Sequence, residues 1–183
     1  MRVIAGSAKS LPLKTVEGLD TRPTTDRIKE TLFNMIHNDV PGCRFLDLFS
    51  GSGAIGIEAL SRGAGICYFV DNSRKAAVCI NQNLKFTHLE EKAVVLQADM
   101  RSAITRLRSQ EPFDIIFMDP PYLKDLEKEA LELLSDAACV NEDTLIIVEV
   151  SLKTDLSWLE DSAYEVVKNK RYKTNAHLFL RRR

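Results

Sequence analysis

A predicted strand is joined to a predicted helix by the segment Leu46-Asp47-Leu48-Phe49-Ser50-Gly51-Ser52-Gly53-Ala54-Ile55-Gly56. Its three glycines have the spacing GxGxxG, which brings the backbone close to a ligand or to another segment of backbone. Because tight turns need glycine in any case, the spacing by itself predicts a sharp strand-to-helix turn. It leaves open what this turn binds.

Short apolar segments alternate with helical patterns on both sides of the glycine turn. The predicted strands are residues 44–49, 66–70, 93–97, 113–118 and 144–150. Between them, apolar residues recur at helical spacing in residues 76–84 and 126–134. Strands that alternate with helices predict an α/β fold, in which a mostly parallel sheet is covered by helices on both faces.

The carboxyl-terminal part of the chain has a different pattern. Residues 164–170 and 176–180 are both strand-like, and they flank the short turn Lys173-Thr174-Asn175. This arrangement predicts a β-hairpin. One strand of the hairpin should therefore run antiparallel to the rest of the sheet.

The amino-terminal part predicts an extension ahead of the sheet. Residues 2–5 are strand-like and residues 6–24 have the composition of a loop. A helix should begin with Thr24 or Thr25 as its N-cap, and we expect Pro41-Gly42 to end it. We expect one domain over residues 1–183, in which the extension, residues 1–40, packs on a core of residues 41–183.

The composition is that of a soluble globular protein, since 45% of the 183 residues are hydrophobic and 28% are charged. The longest uncharged run, residues 48–57, is too short and too rich in glycine to cross a membrane. The amino terminus has no signal-peptide pattern, so we expect a cytoplasmic protein. The cysteines lack CxxC spacing and sit among apolar neighbours, which favours buried free thiols over zinc ligands or disulfides. They are Cys43, Cys67, Cys79 and Cys139.

The sequence Asp119-Pro120-Pro121-Tyr122 directly follows the predicted strand 113–118. Two prolines make a rigid turn and leave carbonyl groups free to accept hydrogen bonds. The Asp119 carboxylate and the Pro120 carbonyl can together accept both N–H bonds of one exocyclic amino group, and the Tyr122 ring can stack on a flat base. A proline turn with an N-cap acid is the simpler interpretation of the same residues.

Acids follow three successive predicted strands, at Asp47, Asp71 and Asp99. Open α/β sheets bind ligands at the carboxyl ends of their strands. The three acids can serve the ammonium group, the ribose hydroxyls and the adenine amino group of S-adenosylmethionine, in that order. Each can also be a helix N-cap or a solvated turn residue. A dinucleotide fold remains an alternative, because Asp71 lies 20 residues after Gly51.

The formal net charge of −1 does not indicate a nucleic-acid-binding protein, but the charge distribution is uneven. Residues 168–183 contain seven Lys or Arg and no acid. This end of the chain can bind phosphates, or it can be a solvated strand with a frayed tail. The three histidines show no partner pattern, so we assign none of them to catalysis; they are His37, His88 and His177.

Taken together, these residues resemble a class I methyltransferase and, more narrowly, the RsmD family of bacterial small-subunit ribosomal RNA guanine-N2 methyltransferases. The resemblance is carried by residues 2–14, 22–27, 30–34, 46–64 and 113–122. It implies a Rossmann-like, mostly parallel seven-stranded sheet with helices on both faces and an antiparallel carboxyl-terminal hairpin. It also implies methyl transfer from S-adenosylmethionine to N2 of a guanine in 16S rRNA, the family's guanine 966, with S-adenosylhomocysteine as product.

The resemblance further implies the roles of individual residues. Catalytic roles fall to Asp119, Pro120 and Tyr122. The cofactor contacts implied are Asp47, Phe49, Ser50, Gly51, Gly53, Asp71, Asn72, Asp99, Met100 and Asp119. The RNA contacts are Arg22, Arg27, Lys168, Lys170, Arg171 and Lys173. No metal is expected, and the partner would be 16S rRNA in the small ribosomal subunit or its assembly intermediate, bound by a monomer.

The chain departs from the family in the final hairpin, where the usual Tyr-Gly is replaced by Tyr172-Lys173-Thr174-Asn175. We expect Asn175 to preserve the turn, because asparagine tolerates a positive φ. Three other functions remain open. The chain can be an amino methyltransferase that acts on DNA adenine, DNA cytosine or a protein amide, a nicotinamide-dependent dehydrogenase, or a non-catalytic RNA-binding protein of ribosome assembly.

Overall fold

The computed structural model describes residues 1–16, 25–122 and 124–183, with strands and helices that alternate along the chain. The helices are α1 (Asp26–Met35), α2 (Ala54–Ser61), α3 (Arg74–Thr87), α4 (Met100–Leu107) and α5 (Leu126–Ser135). The strands are β1 (Arg44–Asp47), β2 (Ile66–Asp71), β3 (Ala93–Gln97), β4 (Ile115–Met118), β5 (Leu145–Ser151), β6 (Tyr164–Arg171) and β7 (Asn175–Arg182).

The seven strands form one sheet in the order β3-β2-β1-β4-β5-β7-β6. Strands β1 to β5 pair in parallel, whereas β7 runs antiparallel to both β5 and β6. The predicted α/β fold is therefore confirmed, including the antiparallel strand contributed by the final hairpin.

Both faces of the sheet are buried, because successive residues of each central strand enter two separate apolar clusters. Phe45 and Phe117 pack in the cluster that contains α1, α2 and α3. Their chain neighbours Leu46 and Met118 pack in the other cluster, with α4 and α5. This two-sided burial explains why the parallel strands are continuous apolar runs rather than alternating ones.

The prediction of a strand over residues 2–5 is wrong, since the only β-bridge that this segment makes within the described residues is the isolated one between Arg2 and Pro12. The N–H groups of Ile4 and Ala5 instead donate to the Glu58 carboxylate of α2, at 2.8 and 3.0 Å. A buried carboxylate thus satisfies the donors that a sheet partner would have satisfied. Helix α2, covered by this segment on one side and by the sheet on the other, is buried along its whole length.

Helix α1 begins as predicted with Thr25, whose side chain accepts a hydrogen bond from the N–H of Ile28. The alternative N-cap, Thr24, lies outside the described residues. The predicted end at Pro41-Gly42 is wrong, because the helix ends at Met35. Residues 37–39 are His, Asn and Asp, which are weak helix formers, and the chain continues in turns.

All four cysteines are buried free thiols, as predicted. Burial raises the pKa of the Cys43 thiol to about 12, so this thiol is not activated as a nucleophile. In the described ranges, no group of three or more potential ligands is arranged to hold a metal ion. None of the helices within those ranges has the length and the apolar character that a membrane span requires.

Candidate active site

The candidate site lies where the strand order of the sheet reverses. The chain builds outward from β1 through β2 to β3 on one side, and through β4 and β5 on the other. A crevice forms at such a switch point, outside the carboxyl ends of the two central strands. Asp47 is the last residue of β1, and it pairs in register with Phe117, two residues before Asp119. The fold therefore brings these two acids to the same edge of the sheet.

Asp47 is almost completely buried, with 1% of its surface exposed. Its Oδ2 accepts a hydrogen bond from the N–H of Gly56 at 3.1 Å. Burial raises the pKa of the Asp47 carboxyl to about 7, and the charge of Asp71 adds to this effect. Among the described residues, no Lys, Arg or His forms an ion pair with Asp47. A buried carboxylate without a cationic partner is suited to a cationic ligand.

Hydrogen bonds of Ser50 and Gly51 hold the glycine turn against β2. The Ser50 hydroxyl donates to the Asp47 carbonyl at 2.7 Å and accepts from the N–H of Val70 at 3.0 Å. The N–H of Gly51 donates to Oδ2 of Asp71 at 2.9 Å. The side chain of Ser50 thus holds the turn in place, whereas Asp71 stands beside the backbone of the turn.

Two of the glycines are needed for different reasons. Gly53 is the N-cap of α2 and has a φ of 79°, a left-handed conformation that favours glycine. Gly56 allows the helix to approach β2, because a Cβ at this position would lie 2.3 Å from the Phe69 ring and 2.6 Å from Sγ of Cys67. The third glycine of GxGxxG therefore serves helix–sheet packing here, and the motif says little about the ligand.

The acids after β2 and β3 have different surroundings. Asp71 is half-exposed at the end of β2, next to the exposed Asn72. Asp99 is exposed and is the N-cap of α4, where it accepts hydrogen bonds from the N–H of Ser102 at 3.0 Å and from its hydroxyl at 2.7 Å. These hydrogen bonds lower the pKa of the Asp99 carboxyl. The N-cap role weighed for Asp99 from the sequence is thus present.

Phe49 and Met100, both predicted to contact the cofactor, belong to the apolar cluster on the α4 and α5 face of the sheet. Met100 is buried, with 6% of its surface exposed, and the half-buried Phe49 packs against the same cluster. Both residues lie at the carboxyl edge of the sheet, at the starts of connections that leave β1 and β3. Any contact with a ligand would come from the outer surface of this cluster.

The Asp119-Pro120-Pro121-Tyr122 turn leaves β4 at the same edge. Burial, followed by the charges of Glu149 and Asp47, raises the pKa of the Asp119 carboxyl well above its usual range. Pro120 is buried, and 45% of the surface of Tyr122 is exposed. The Tyr122 hydroxyl donates to Oε1 of Glu149 at 2.9 Å.

Glu149 is a site residue that the sequence analysis missed. It lies in β5 with 6% of its surface exposed, and it also accepts hydrogen bonds from Asn175 Nδ2 at 2.6 Å and from His177 Nε2 at 3.0 Å. Burial alone would raise the pKa of Glu149, but the hydrogen bond and charge of His177, together with the bonds from Tyr122 and Asn175, lower it overall. The available signal was a single charged residue in the apolar strand Leu145–Ser151.

His177, to which the sequence analysis gave no role, is completely buried and connects Glu149 to the hairpin turn. A carboxylate can only accept, so Nε2 of His177 carries a hydrogen, and Nδ1 lies 3.3 Å from the Tyr172 hydroxyl. The hairpin is present, as predicted, but without a positive φ at Asn175, which begins β7. The turn is closed by the N–H of Tyr172, which donates to the carbonyl of Asn175 at 2.8 Å.

The basic residues proposed to contact RNA are exposed wherever the structure describes them. Lys168 and Lys170 pair in register with Phe179 and His177, and their side chains therefore lie on the same face of the sheet as those residues. Arg171 ends β6, Lys173 lies in the hairpin turn, and Arg27 lies in the first turn of α1. Arg22 lies outside the described residues.

A cavity of about 350 Å³ lies at the opposite edge of the sheet, near the amino ends of β1, β4 and β5. It is lined by Asp39, Pro41, Gly42, Cys43, Asp114, Asp143, Leu145 and Arg181. Ligands of open α/β sheets bind at the carboxyl edge, where Asp47 and Asp119, the described carboxyl groups with a raised pKa, are located. We therefore assign the functional site to the edge that carries Asp47 and Asp119.

The sheet order, the glycine turn after β1 and the Asp-Pro-Pro-Tyr turn after β4 together define a class I methyltransferase fold. Within this class, residues 1–181 match the model of the family described as Conserved hypothetical protein 95. The chain belongs to this family, the RsmD family of methyltransferases.

Two relatives and one solved structure illustrate the likeness. The chain is 45% identical over 157 residues to Bacillus subtilis YlbH, proposed in its name to be an rRNA methyltransferase, with 85% of each chain covered. It is 33% identical over 156 residues to Escherichia coli Ribosomal RNA small subunit methyltransferase D, with 85% of this chain and 77% of the relative covered. The solved structure of Escherichia coli yhhF, proposed in its name to be a methyltransferase, superposes with a TM-score of 0.84 at 31% identity, covering 100% and 97% of the two chains.

Proposed function

We propose that this protein transfers the methyl group of S-adenosylmethionine to the exocyclic N2 amine of a guanine in 16S rRNA, the nucleotide that the family resemblance identifies as guanine 966. The observation that carries the proposal is the pair of acids, Asp47 and Asp119, at the switch point of the sheet. Both carboxyl groups have a raised pKa, and Asp119 adjoins a rigid proline turn. The substrate class is supported by the relatives that are named as rRNA methyltransferases.

The residues at this edge fit S-adenosylmethionine. Asp47 would hold the ammonium group, Asp71 beside the Gly51 backbone would hold the ribose hydroxyls, and Asp99 would accept from the adenine amino group. A ligand with a positive charge relieves the repulsion between the buried carboxylates. When bound, S-adenosylmethionine supplies an electrophilic methyl group on a sulfonium.

The residues of the chain would orient the amine and assist the loss of its proton. An aromatic amine is a poor nucleophile, because its lone pair is delocalised into the ring. The Asp119 carboxylate and the Pro120 carbonyl would accept its two N–H bonds and so direct the lone pair out of the ring plane. Asp119 would also stabilise the positive charge that develops on the nitrogen, and the proton then passes to Asp119 or to water. Orientation and electrostatics supply most of the rate in such a site.

The target base must leave its stack to reach this edge of the sheet, and the half-exposed ring of Tyr122 offers a surface on which it can stack. The exposed basic residues of β6 and of the hairpin turn would then contact RNA phosphates. We propose that residues 1–183 act as one methyltransferase domain and as a monomer. The substrate would be 16S rRNA in the small subunit or in its assembly intermediate.

The test is methyl transfer from labelled S-adenosylmethionine to bacterial 30S particles that lack small-subunit RNA methylation, followed by nucleoside analysis of the RNA. Label in N2-methylguanosine is the expected result, and mapping would locate the modified position. Label in another nucleoside would overturn the guanine-N2 assignment. If cofactor binds but no RNA is labelled, rRNA is not the substrate, and DNA or protein acceptors are tested with the same labelled cofactor.

A further inference from the structure

We infer that Glu149 is a positioning residue, which holds the ring of Tyr122 in place for the target base and ties it to the final hairpin. This inference rests on the proposed function, because it assigns the role of Glu149 within the same site. It goes beyond the proposed function because it assigns a role to a residue that does not touch the reacting atoms. The residue acts instead through Tyr122.

The first support is the convergence of donors on one carboxylate. Tyr122 and Asn175 both donate to Oε1 of Glu149, at 2.9 and 2.6 Å, and His177 donates to Oε2 at 3.0 Å. A carboxylate accepts at both oxygens, which makes it the side chain that can satisfy all three donors at once. An amide in its place would direct an NH2 group at one of them.

The second support is the contrast between the two ends of Tyr122. The ring is 45% exposed at the edge of the site, whereas the hydroxyl is bonded to a carboxylate that is 6% exposed. A hydrogen bond to a buried partner restricts the rotamers that an exposed aromatic side chain can adopt. A bond at the far end of the ring fixes the plane on which a base can stack. A small misplacement of a positioning group can cost about 100-fold in rate.

The third support is the origin of the other two donors. Glu149 of β5 pairs directly with His177 of β7, and Asn175 begins the same strand. Strand β7 also pairs with β6, where Lys170 lies opposite His177. One carboxylate therefore joins the stacking residue to the hairpin that presents basic side chains. Glu149 would therefore fix the position of a base held by Tyr122 relative to the RNA held by the hairpin.

The competing explanation is that Glu149 serves stability alone, as one member of a buried polar cluster. A double-mutant cycle separates the two roles, because residues that act through each other are not additive. The variants are Tyr122→Phe, Glu149→Gln and the double substitution. Glu142→Gln, in the exposed turn before β5, is the matched control. For each variant we would measure kcat on the RNA substrate, the Kd for S-adenosylmethionine and the thermal midpoint.

We expect each single substitution to lower kcat about tenfold, with the Kd for the cofactor unchanged, and the double variant to be no slower than the slower single variant. Additive losses in kcat would overturn the inference, and so would a wild-type kcat in Tyr122→Phe. The latter variant alters only a hydroxyl on an exposed side chain, so it remains decisive even if Glu149→Gln fails to fold. Glu142→Gln should match the wild type.

A second measurement decides the inference without any RNA. The chain has four tyrosines, and in protein labelled with 13C on tyrosine the ring signal of Tyr122 is the one absent from Tyr122→Phe. We expect this signal to move and broaden in Glu149→Gln and to stay in place in Glu142→Gln. An unmoved signal would contradict the inference. If wild-type protein fails to methylate RNA while the signal moves, the proposed function is wrong and the contact is still established.

Discussion

Asp47, at the end of β1, lies in register with Phe117 of β4, and so it faces the turn that begins with Asp119 two residues later. Two acids that are 72 residues apart in the sequence thus meet where the strand order reverses. Burial raises the pKa of the Asp119 carboxyl well above its usual range, and the charges of Glu149 and Asp47 add to this effect. Both carboxyl groups are therefore costly to ionise in the free protein, and a cation bound at this edge would favour their ionised forms.

Replacement of Asp119 by alanine should abolish methyl transfer and leave cofactor binding within a few-fold of wild type. The substitution removes the group that orients the amine, a loss of about 100-fold or more in kcat. It does not remove the Asp47 carboxylate. Turnover on RNA and calorimetric titration with S-adenosylmethionine give the two quantities. Retained turnover would eliminate Asp119 as the orienting group.

The affinity for S-adenosylmethionine should rise with pH and level off above about pH 7. The Asp47 carboxyl, with its pKa raised to about 7, must lose its proton to pair with the ammonium group. Between pH 5 and pH 7 the affinity should therefore increase by up to about tenfold per pH unit. Asp47→Asn should bind weakly at every pH, and Asp143→Asn, at the opposite edge, should behave as wild type. A flat profile for the wild type would contradict the raised pKa.

The raised pKa of Asp47 affects stability in the opposite direction: as pH rises, cofactor affinity increases but the free energy of unfolding decreases. Because Asp47 ionises less readily in the folded state than in the unfolded state, the folded state binds more protons above about pH 4, and stability falls as pH rises towards 7. Asp47→Asn should remove this loss, about 3 kcal/mol between pH 5 and pH 8. Urea unfolding at pH 5 and at pH 8 measures this difference in the free energy of unfolding. A variant that keeps the full pH dependence would show that another group is responsible.

Lys29→Met should destabilise the protein by about 3 kcal/mol, because it removes the fully buried cation that pairs with the Glu58 carboxylate and leaves that carboxylate with Arg62, at 2.8 Å, as its remaining ion-pair partner among the described residues. Lys29 and Glu58 are 3.1 Å apart, and neither side chain is exposed. Arg101→Met is the control, since Arg101 is 70% exposed in its pair with Glu129 and should cost less than about 1 kcal/mol. Denaturant midpoints, with the denaturant slope m unchanged, give the loss in free energy of unfolding for each variant. Equal losses in the two variants would show that burial of the Lys29 pair is unimportant.

Replacement of Lys168 and Lys170 by glutamine should weaken RNA binding and reduce its salt dependence by about 1 to 2 in the log–log slope. Both side chains are exposed on one face of β6. Lys85→Gln with Lys92→Gln removes the same charge near the β3 edge of the sheet and should have little effect. Cofactor affinity should be unchanged in both. An unaltered slope for the β6 variant would exclude these lysines from the RNA interface.

Local patterns were sufficient for much of the architecture. The apolar runs identified strands β1 to β5, because an apolar run of strand length specifies burial without reference to distant residues, and the strand-like segments on both sides of the final turn identified β6 and β7. Thr25 was identified as an N-cap for the same reason, since the cap bonds a backbone N–H three residues away. The end of α1 at Met35 was missed, because the weak helix formers that follow were given less weight than Pro41.

The contents of the site were only partly readable from local patterns. Gly56 allows helix packing against β2 and Ser50 braces the turn, and the sequence pattern alone revealed neither of these structural roles. Asp99 proved to be an N-cap, and that role can coexist with a contact to adenine. Of these residues, Ser50 has a partner on a neighbouring strand, since it accepts from the N–H of Val70 in β2, whereas Asp99 bonds Ser102 within its own helix.

The sequence by itself determined the α/β class, the glycine turn after β1 and the acids at the strand ends, because each depends on residues within one strand, turn or helix. The contacts of Glu149 with Tyr122, Asn175 and His177 depend on the packed sheet. Glu149 meets Asn175 and His177 because β5 and β7, with partners 28 residues apart, pair antiparallel. The raised pKa of Asp47 was likewise decided by burial. Burial and cross-strand pairing arise from the whole packed sheet, so no single segment of the chain encodes them.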